Sequence, residues 1–189
     1  FKLDRLAPAN HIEHTNAHDA MADVRATIGI ARIIKDSQPK FFNYALSLND
    51  KKEVAQLVKP LHPMLLTTSS FGYKSSFTRL VTSICNHPEY NDRSIVFNLN
   101  QDPEIFLELE TEELKTLTFS RKSDLPKGIE KIDLSELVYN KSPMFVCSPN
   151  SDNFKISPIL IDKFQLNLEK CLKNLRFIQQ NRQSIEDKV

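Results

Sequence analysis

His18 and Asp23 are the two residues whose types and spacing speak most directly of chemistry. They lie in the run His14-Thr15-Asn16-Ala17-His18-Asp19-Ala20-Met21-Ala22-Asp23-Val24, with small residues between them. A neutral imidazole can take a proton from water, since its reference pKa is about 6.5. The positive end of a helix favours that neutral form, the one a general base needs. An aspartate is a hard oxygen ligand of the kind magnesium prefers. Positions five apart sit about 140° from each other around an ideal helix, so both reach one site only from its edge. On spacing alone the pattern is weak. A capped helix carrying a surface histidine and a surface aspartate explains it better on that ground alone.

The element that must position them is a helix. Asn16 is expected as its N-cap, with Asp19 completing a capping arrangement. Ala17, Ala20, Met21, Val24, Ile28, Ala31 and Ile34 recur at helical spacing up to about Asp36. Asp36-Ser37-Gln38-Pro39 stops the helix. That apolar stripe is expected to be exposed. A shorter helix around Leu3 and Leu6 precedes it. Phe41, Phe42, Tyr44, Ala45 and Leu48 continue in helix, as does Lys51 to Val58 after an Asn49-Asp50 cap.

The pattern changes after Pro63. Met64 to Thr68, Thr78 to Ile84 and Ser94 to Leu99 read as strands, with turns at Gly72, His87-Pro88 and Asn91-Asp92. Glu112 to Thr116 reads as a short helix, and Ile129 to Val138 and Met144 to Val146 as further strands. Ser157-Pro158 opens the last helical region, where Leu168, Cys171, Leu172, Leu175 and Ile178 keep helical spacing. Helices, then strands, then helices describe an α+β chain with a small barrel or sandwich, not an alternating α/β fold.

Composition narrows the classes further. A 40% hydrophobic content supports a packed core, and a net charge of +1 excludes a global basic field. Nucleic-acid binding must therefore come from a local patch. The longest apolar runs are too short to span a bilayer, and no secretory signal is expected. Cys85, Cys147 and Cys171 form no C-x-x-C pair and read as buried small hydrophobes.

Phe71, Tyr73, Lys74, Phe77 and Arg79 interleave rings and cations. Bases can stack on such rings while phosphates meet the cations. Phe71 and Phe77 as core, with the cations on a solvated face, is the alternative. Arg121, Lys122 and Lys141 form a second basic set with the same two readings. Asp102-Pro103-Glu104 has Asp-x-Glu spacing but reads as a turn.

The neighbours of His18 and Asp23 add a resemblance. His18 to Asp23, following Glu13-His14-Thr15-Asn16-Ala17, closely resembles the third exonuclease motif of the histidine branch of the DEDD superfamily. Phe1 to Leu6 ahead of it, and Gln38-Pro39-Lys40, Tyr44, Phe71-Gly72, His87-Pro88, Asn140-Lys141, and Cys171-Leu172 with Asn174-Leu175 after it, extend the match in order. Together they resemble the bacterial exodeoxyribonuclease I family over essentially all 189 residues.

That resemblance implies a 3′→5′ exonuclease of single-stranded DNA that releases mononucleotides in DNA repair and recombination, in a bacterial cytoplasm. It implies two magnesium ions at the scissile phosphate, His18 as general base and Asp23 as a metal ligand. It also implies that residues 1–38 end an RNase H-like exonuclease domain and that 39–189 form an SH3-like domain closing over single-stranded DNA. The family docks the acidic C-terminal tail of single-stranded DNA-binding protein. Here Tyr44 matches the family near that groove, although it also reads as plain packing; His62, Ser157 and Gln179 stand where basic residues are expected, and Lys155 and Arg176 are the substitutes for them. The family's Asp-x-Glu pair and further aspartate belong ahead of this segment. The chain is therefore expected to hold half of a catalytic site and not to degrade DNA alone. A stand-alone SH3-like module for single-stranded DNA or a partner peptide is the other reading.

Overall fold

The computed structural model describes residues 2–13, 19–121, 123–126, 128, 131–147 and 155–189. The chain divides into two compact units, Phe1–Ser47 and Leu48–Val189. The helix that starts at Pro39 belongs with the first unit.

The first unit holds α1 (Leu3–Ala9), α2 (Ala20–Ser37) and α3 (Pro39–Ser47). The expected cap Asn16 lies outside the described residues. The cap of α2 is instead Asp19, whose carboxylate accepts the Ala22 N–H at 3.3 Å. Aspartate serves as an N-cap as well as asparagine does, and the alanines after it suit helix immediately. Gly29 marks a close approach: a Cβ there would stand 2.9 Å from Ile12 Cδ1, so α2 lets the segment after α1 lie against its backbone. Ala7 and Ala26 are fully buried, while Met21, Val24 and Ile28 are exposed along α2.

The second unit opens with α4 (Lys51–Leu57), capped by Asp50. Then come β1 (Pro63–Thr67), β2 (Thr78–Asn86) and β3 (Arg93–Asn98). They are followed by α5 (Ile105–Glu108), α6 (Thr111–Phe119), β4 (Leu134–Val138) and β5 (Met144–Cys147). The unit ends in α7 (Pro158–Lys163), α8 (Leu168–Gln180) and α9 (Arg182–Glu186). The strands make one antiparallel sheet in the order β4-β3-β2-β1-β5. This is the expected α+β class: β1 leads to β2 and β2 to β3 through turns, whereas β3 reaches β4 only through α5 and α6.

Strand alternation sorts side chains between the two faces. Leu65 opposite Leu80, and Thr82 opposite Phe97 opposite Leu134, share one face. That face meets Phe106, Leu114, Cys171, Leu175, Ile178 and Ile185 from α5, α6, α8 and α9. Met64, Val81, Val96 and Phe145 are buried on the other face. The β2–β3 register slips between Ser83 and Cys85, and the extra residue brings both Ile84 and Cys85 against the helical core. Asn174 is the buried polar link: its amide donates to the carbonyls of Leu99 at 3.0 Å and Gln101 at 2.7 Å. Burial pushes the Cys147 and Cys171 thiols up to about 11, so both stay neutral. Among the described residues, no helix is long and apolar enough to cross a membrane.

Candidate nucleic-acid interface

The segment between β1 and β2 is built to project a few side chains. Thr68 caps a 3-10 turn at Ser69–Phe71. Gly72 follows at φ +75, where a side chain would be strained and glycine is not. The loop is closed by Thr68 N–H to Phe77 C=O and Phe77 N–H to Gly72 C=O, each 2.9 Å. The Thr67 and Thr78 hydroxyls meet at 2.9 Å beneath it. Its flank is tied to α7 by the Ser76 hydroxyl, which donates to the Lys163 carbonyl at 3.4 Å. What remains at the tip is Tyr73, 77% exposed, and Lys74, also exposed.

Arg79 sits at the foot of this loop. Its guanidinium lies 4.5 Å above the Phe71 ring and is ion-paired with Asp133. The Asn98 amide donates to the same carboxylate at 2.8 Å. Phe71 is therefore covered by a cation, and the charge of Arg79 is partly neutralised. Two adjoining cavities share the Phe71–Arg79 wall. The smaller, about 450 Å³, is bounded by the loop tip, Asn98, Asn100 and the α7–α8 turn. The larger, about 1110 Å³, carries Asp102, Glu104, Glu108 and Asp133 against Arg79, Lys131 and Lys170. Its lining is net acidic, so it repels a polyanion where the smaller one does not.

Phe71, Tyr73, Lys74 and Arg79 are thus brought together around one cavity. Phe77 lies on the same loop, 43% exposed, but outside the cavity lining. Arg121 is exposed after α6, and Lys122 lies outside the described residues. Lys141 is exposed at the end of the 3-10 turn Tyr139–Lys141. Neither Arg121 nor Lys141 lines the two cavities. Tyr44 is half-buried on α3 in the first unit, whereas Lys155 and Arg176 are exposed in the second. Asp23 stands half-buried in the first turn of α2, its N–H donating to the Asp19 carbonyl at 3.0 Å. His18 lies outside the described residues. Among the described residues, no three His, Cys, Asp or Glu side chains converge to hold a metal ion. Asn98, Asn100, Phe164 and Gln165 complete the cavity wall without having been singled out by sequence pattern.

The profile of the Exonuclease I SH3-like domain matches residues 49–189. The chain belongs to the exonuclease I SH3-like domain family. Exodeoxyribonuclease I of Escherichia coli strain K12 is 32% identical over 191 aligned residues, which take in 100% of this chain and 39% of that enzyme. The crystal structure of E. coli exonuclease I in complex with a dA16 oligonucleotide superposes with a TM-score of 0.87. It is 32% identical and covers 98% of this chain and 39% of the solved one. The zinc-bound form of the E. coli exonuclease I complex with single-stranded DNA superposes at 0.85, also 32% identical, with the same coverage. As a member of this family, the chain spans about two-fifths of the length of these relatives. The family match begins at residue 49, one residue into the second compact unit.

Proposed function

We propose that the second unit binds single-stranded DNA and that the chain is part of a 3′→5′ exonuclease releasing mononucleotides. The observation that carries this reading is geometric. An exposed ring and an exposed ammonium, Tyr73 and Lys74, project from a braced loop beside a cavity whose lining holds cations and no carboxylate. Rings stack on any base and cations meet the phosphates, so the surface is sequence-tolerant. The likeness to a structure containing an oligonucleotide supports the same assignment. Exposed Arg121 and Lys141, with Lys122, would extend the basic surface. For a tail of single-stranded DNA-binding protein, Tyr44 on the first unit and Lys155 and Arg176 on the second would each be candidate contacts. The setting would be DNA repair in a bacterial cytoplasm.

Within that enzyme His18 would act as general base and Asp23 as a metal ligand. Magnesium there would lower the pKa of the attacking water. Two cations need more oxygen donors than one carboxylate supplies. The described residues alone do not fit a two-ion site, and the remaining donors would come from parts of the enzyme outside the match.

Two measurements test the proposal. Fluorescence anisotropy with labelled oligo-dT is expected to show binding that weakens steeply with salt. Lys74→Ala should flatten the log–log salt slope by about 0.7, the value for one phosphate on a single strand. Salt-independent binding, or none, would sink the DNA assignment. The pure chain is also expected to release no nucleotides from oligo-dT with magnesium. Robust release that disappears in His18→Ala would show that the 189 residues suffice for catalysis.

A further inference from the structure

The smaller cavity has two walls from distant parts of the chain. One is the loop tip with Tyr73 and Lys74. The other is the turn between α7 and α8, carrying Phe164 and Gln165. Phe164 ends α7, its N–H donating to the Leu160 carbonyl at 2.9 Å. Gln165 then takes φ +54 and turns the chain back, with Leu166 N–H reaching the Ile161 carbonyl at 2.9 Å. The turn is therefore fixed by backbone bonds, and Ser76 ties it to the loop. The opposing walls do not depend on an induced closure.

We infer that this cavity receives one unpaired base of the DNA strand, with Phe164 as a stacking ring opposite the Tyr73–Lys74 tip. The inference rests on the single-stranded DNA reading above and deepens it. Three observations select the occupant. A volume of about 450 Å³ suits one nucleotide, near the small end of ligand cavities, roughly 300–1,000 Å³. The lining pairs rings with the exposed cation Lys74 and with Arg79, whose charge Asp133 partly neutralises, and itself contains no carboxylate, whereas the adjoining cavity is net acidic. The exposed amides of Asn100 and Gln165 offer donors and acceptors at the edge where a base would present its own. Phe71 is only 9% exposed and one face of its ring carries the Arg79 guanidinium, so it offers a base little open surface. Phe164 is the ring left to do so.

The test compares two ligands of equal charge: oligo-dT and a strand of the same length made of abasic sites. Wild-type chain is expected to prefer oligo-dT. Phe164→Ala should weaken oligo-dT binding about tenfold and leave abasic binding unchanged. Phe164→Tyr should restore the preference. Tyr73→Ala, at a position 77% exposed and so without folding cost, should show the same selective loss. Lys74→Ala should weaken both ligands alike. If Phe164→Ala and Tyr73→Ala bind oligo-dT like wild type, or weaken both ligands equally, the base pocket is wrong while DNA binding stands. If wild type binds neither ligand, the single-stranded DNA reading falls and the pocket with it.

Discussion

Phe97→Ala is expected to cost the second unit about 3–5 kcal/mol, the range for a fully buried phenylalanine cut back to its Cβ. Phe97 is completely buried on β3 and meets Phe106 edge-on, with ring centroids 5.0 Å apart and planes at 67°. Its strand pairs on both sides, opposite Thr82 of β2 and Leu134 of β4. A strand held by two ladders cannot shift inward to fill the space, so the cavity persists and its cost adds to the lost transfer energy. Against a total stability of about 5–15 kcal/mol, that is a large fraction. Urea unfolding followed by far-UV circular dichroism should show a much lower midpoint for Phe97→Ala. Phe97→Leu should lose clearly less. The next residue, Asn98, holds the Asp133 carboxylate that pairs with Arg79. Oligo-dT binding by Phe97→Ala should therefore be lost at the lower urea concentration at which the variant unfolds. An unchanged urea midpoint would mean that Phe97 is not a core anchor.

Local rules made much of this fold legible. The strand-like runs at 64–68, 78–84 and 94–99, bounded by turn residues, correspond to β1, β2 and β3 within a residue or two. Ser157-Pro158 does open a helix, and Cys171, Leu175 and Ile178 do face the core. These signals are carried by residues within a turn or two of each other. What stayed hidden depends on long-range pairing. The slip between Ser83 and Cys85 leaves no mark in the sequence of β2. Asp133 gives no sign that it will pair with Arg79, since only the sheet brings β2, β3 and the entry to β4 side by side. The interleaved rings and cations at 71–79 did point to a surface. They could not say that Phe71 would be capped by Arg79 while Tyr73 stands free of the core. Asn100 and Phe164 have no local pattern at all, and they reach the cavity only through the packing of α7 and α8 beside the sheet. His18 and Asp23 were conspicuous because their motif is short and contiguous, which is the kind of signal a linear sequence preserves.

Asn174 is the polar group on which that packing depends most, and Asn174→Leu tests it with little change in volume. Its amide nitrogen donates to the Leu99 and Gln101 carbonyls from inside α8, where the residue is almost fully buried. Those two carbonyls flank Asn100, so one side chain fixes the segment that carries the cavity's edge. Leucine fills nearly the same space but offers no donor. The buried Leu99 carbonyl would lose its partner at about 1–3 kcal/mol, and the part-buried Gln101 carbonyl would lose its own at smaller cost, offset in part by the apolar gain. A net loss of about 1–3 kcal/mol is expected, larger than a surface change on α8. Thermal unfolding should show a clear drop for Asn174→Leu and almost none for Lys173→Leu, whose side chain is exposed on the preceding position. Hydrogen exchange should quicken at the amide of Leu99, which donates to the Leu80 carbonyl at 3.0 Å, because the segment loses its tether to α8. Oligo-dT affinity should fall even at temperatures where the variant stays folded, since Asn100 and its wall loosen. A melting temperature equal to wild type, with exchange at Leu99 unchanged, would show that the two carbonyls find other donors and that α8 does not hold the cavity in place.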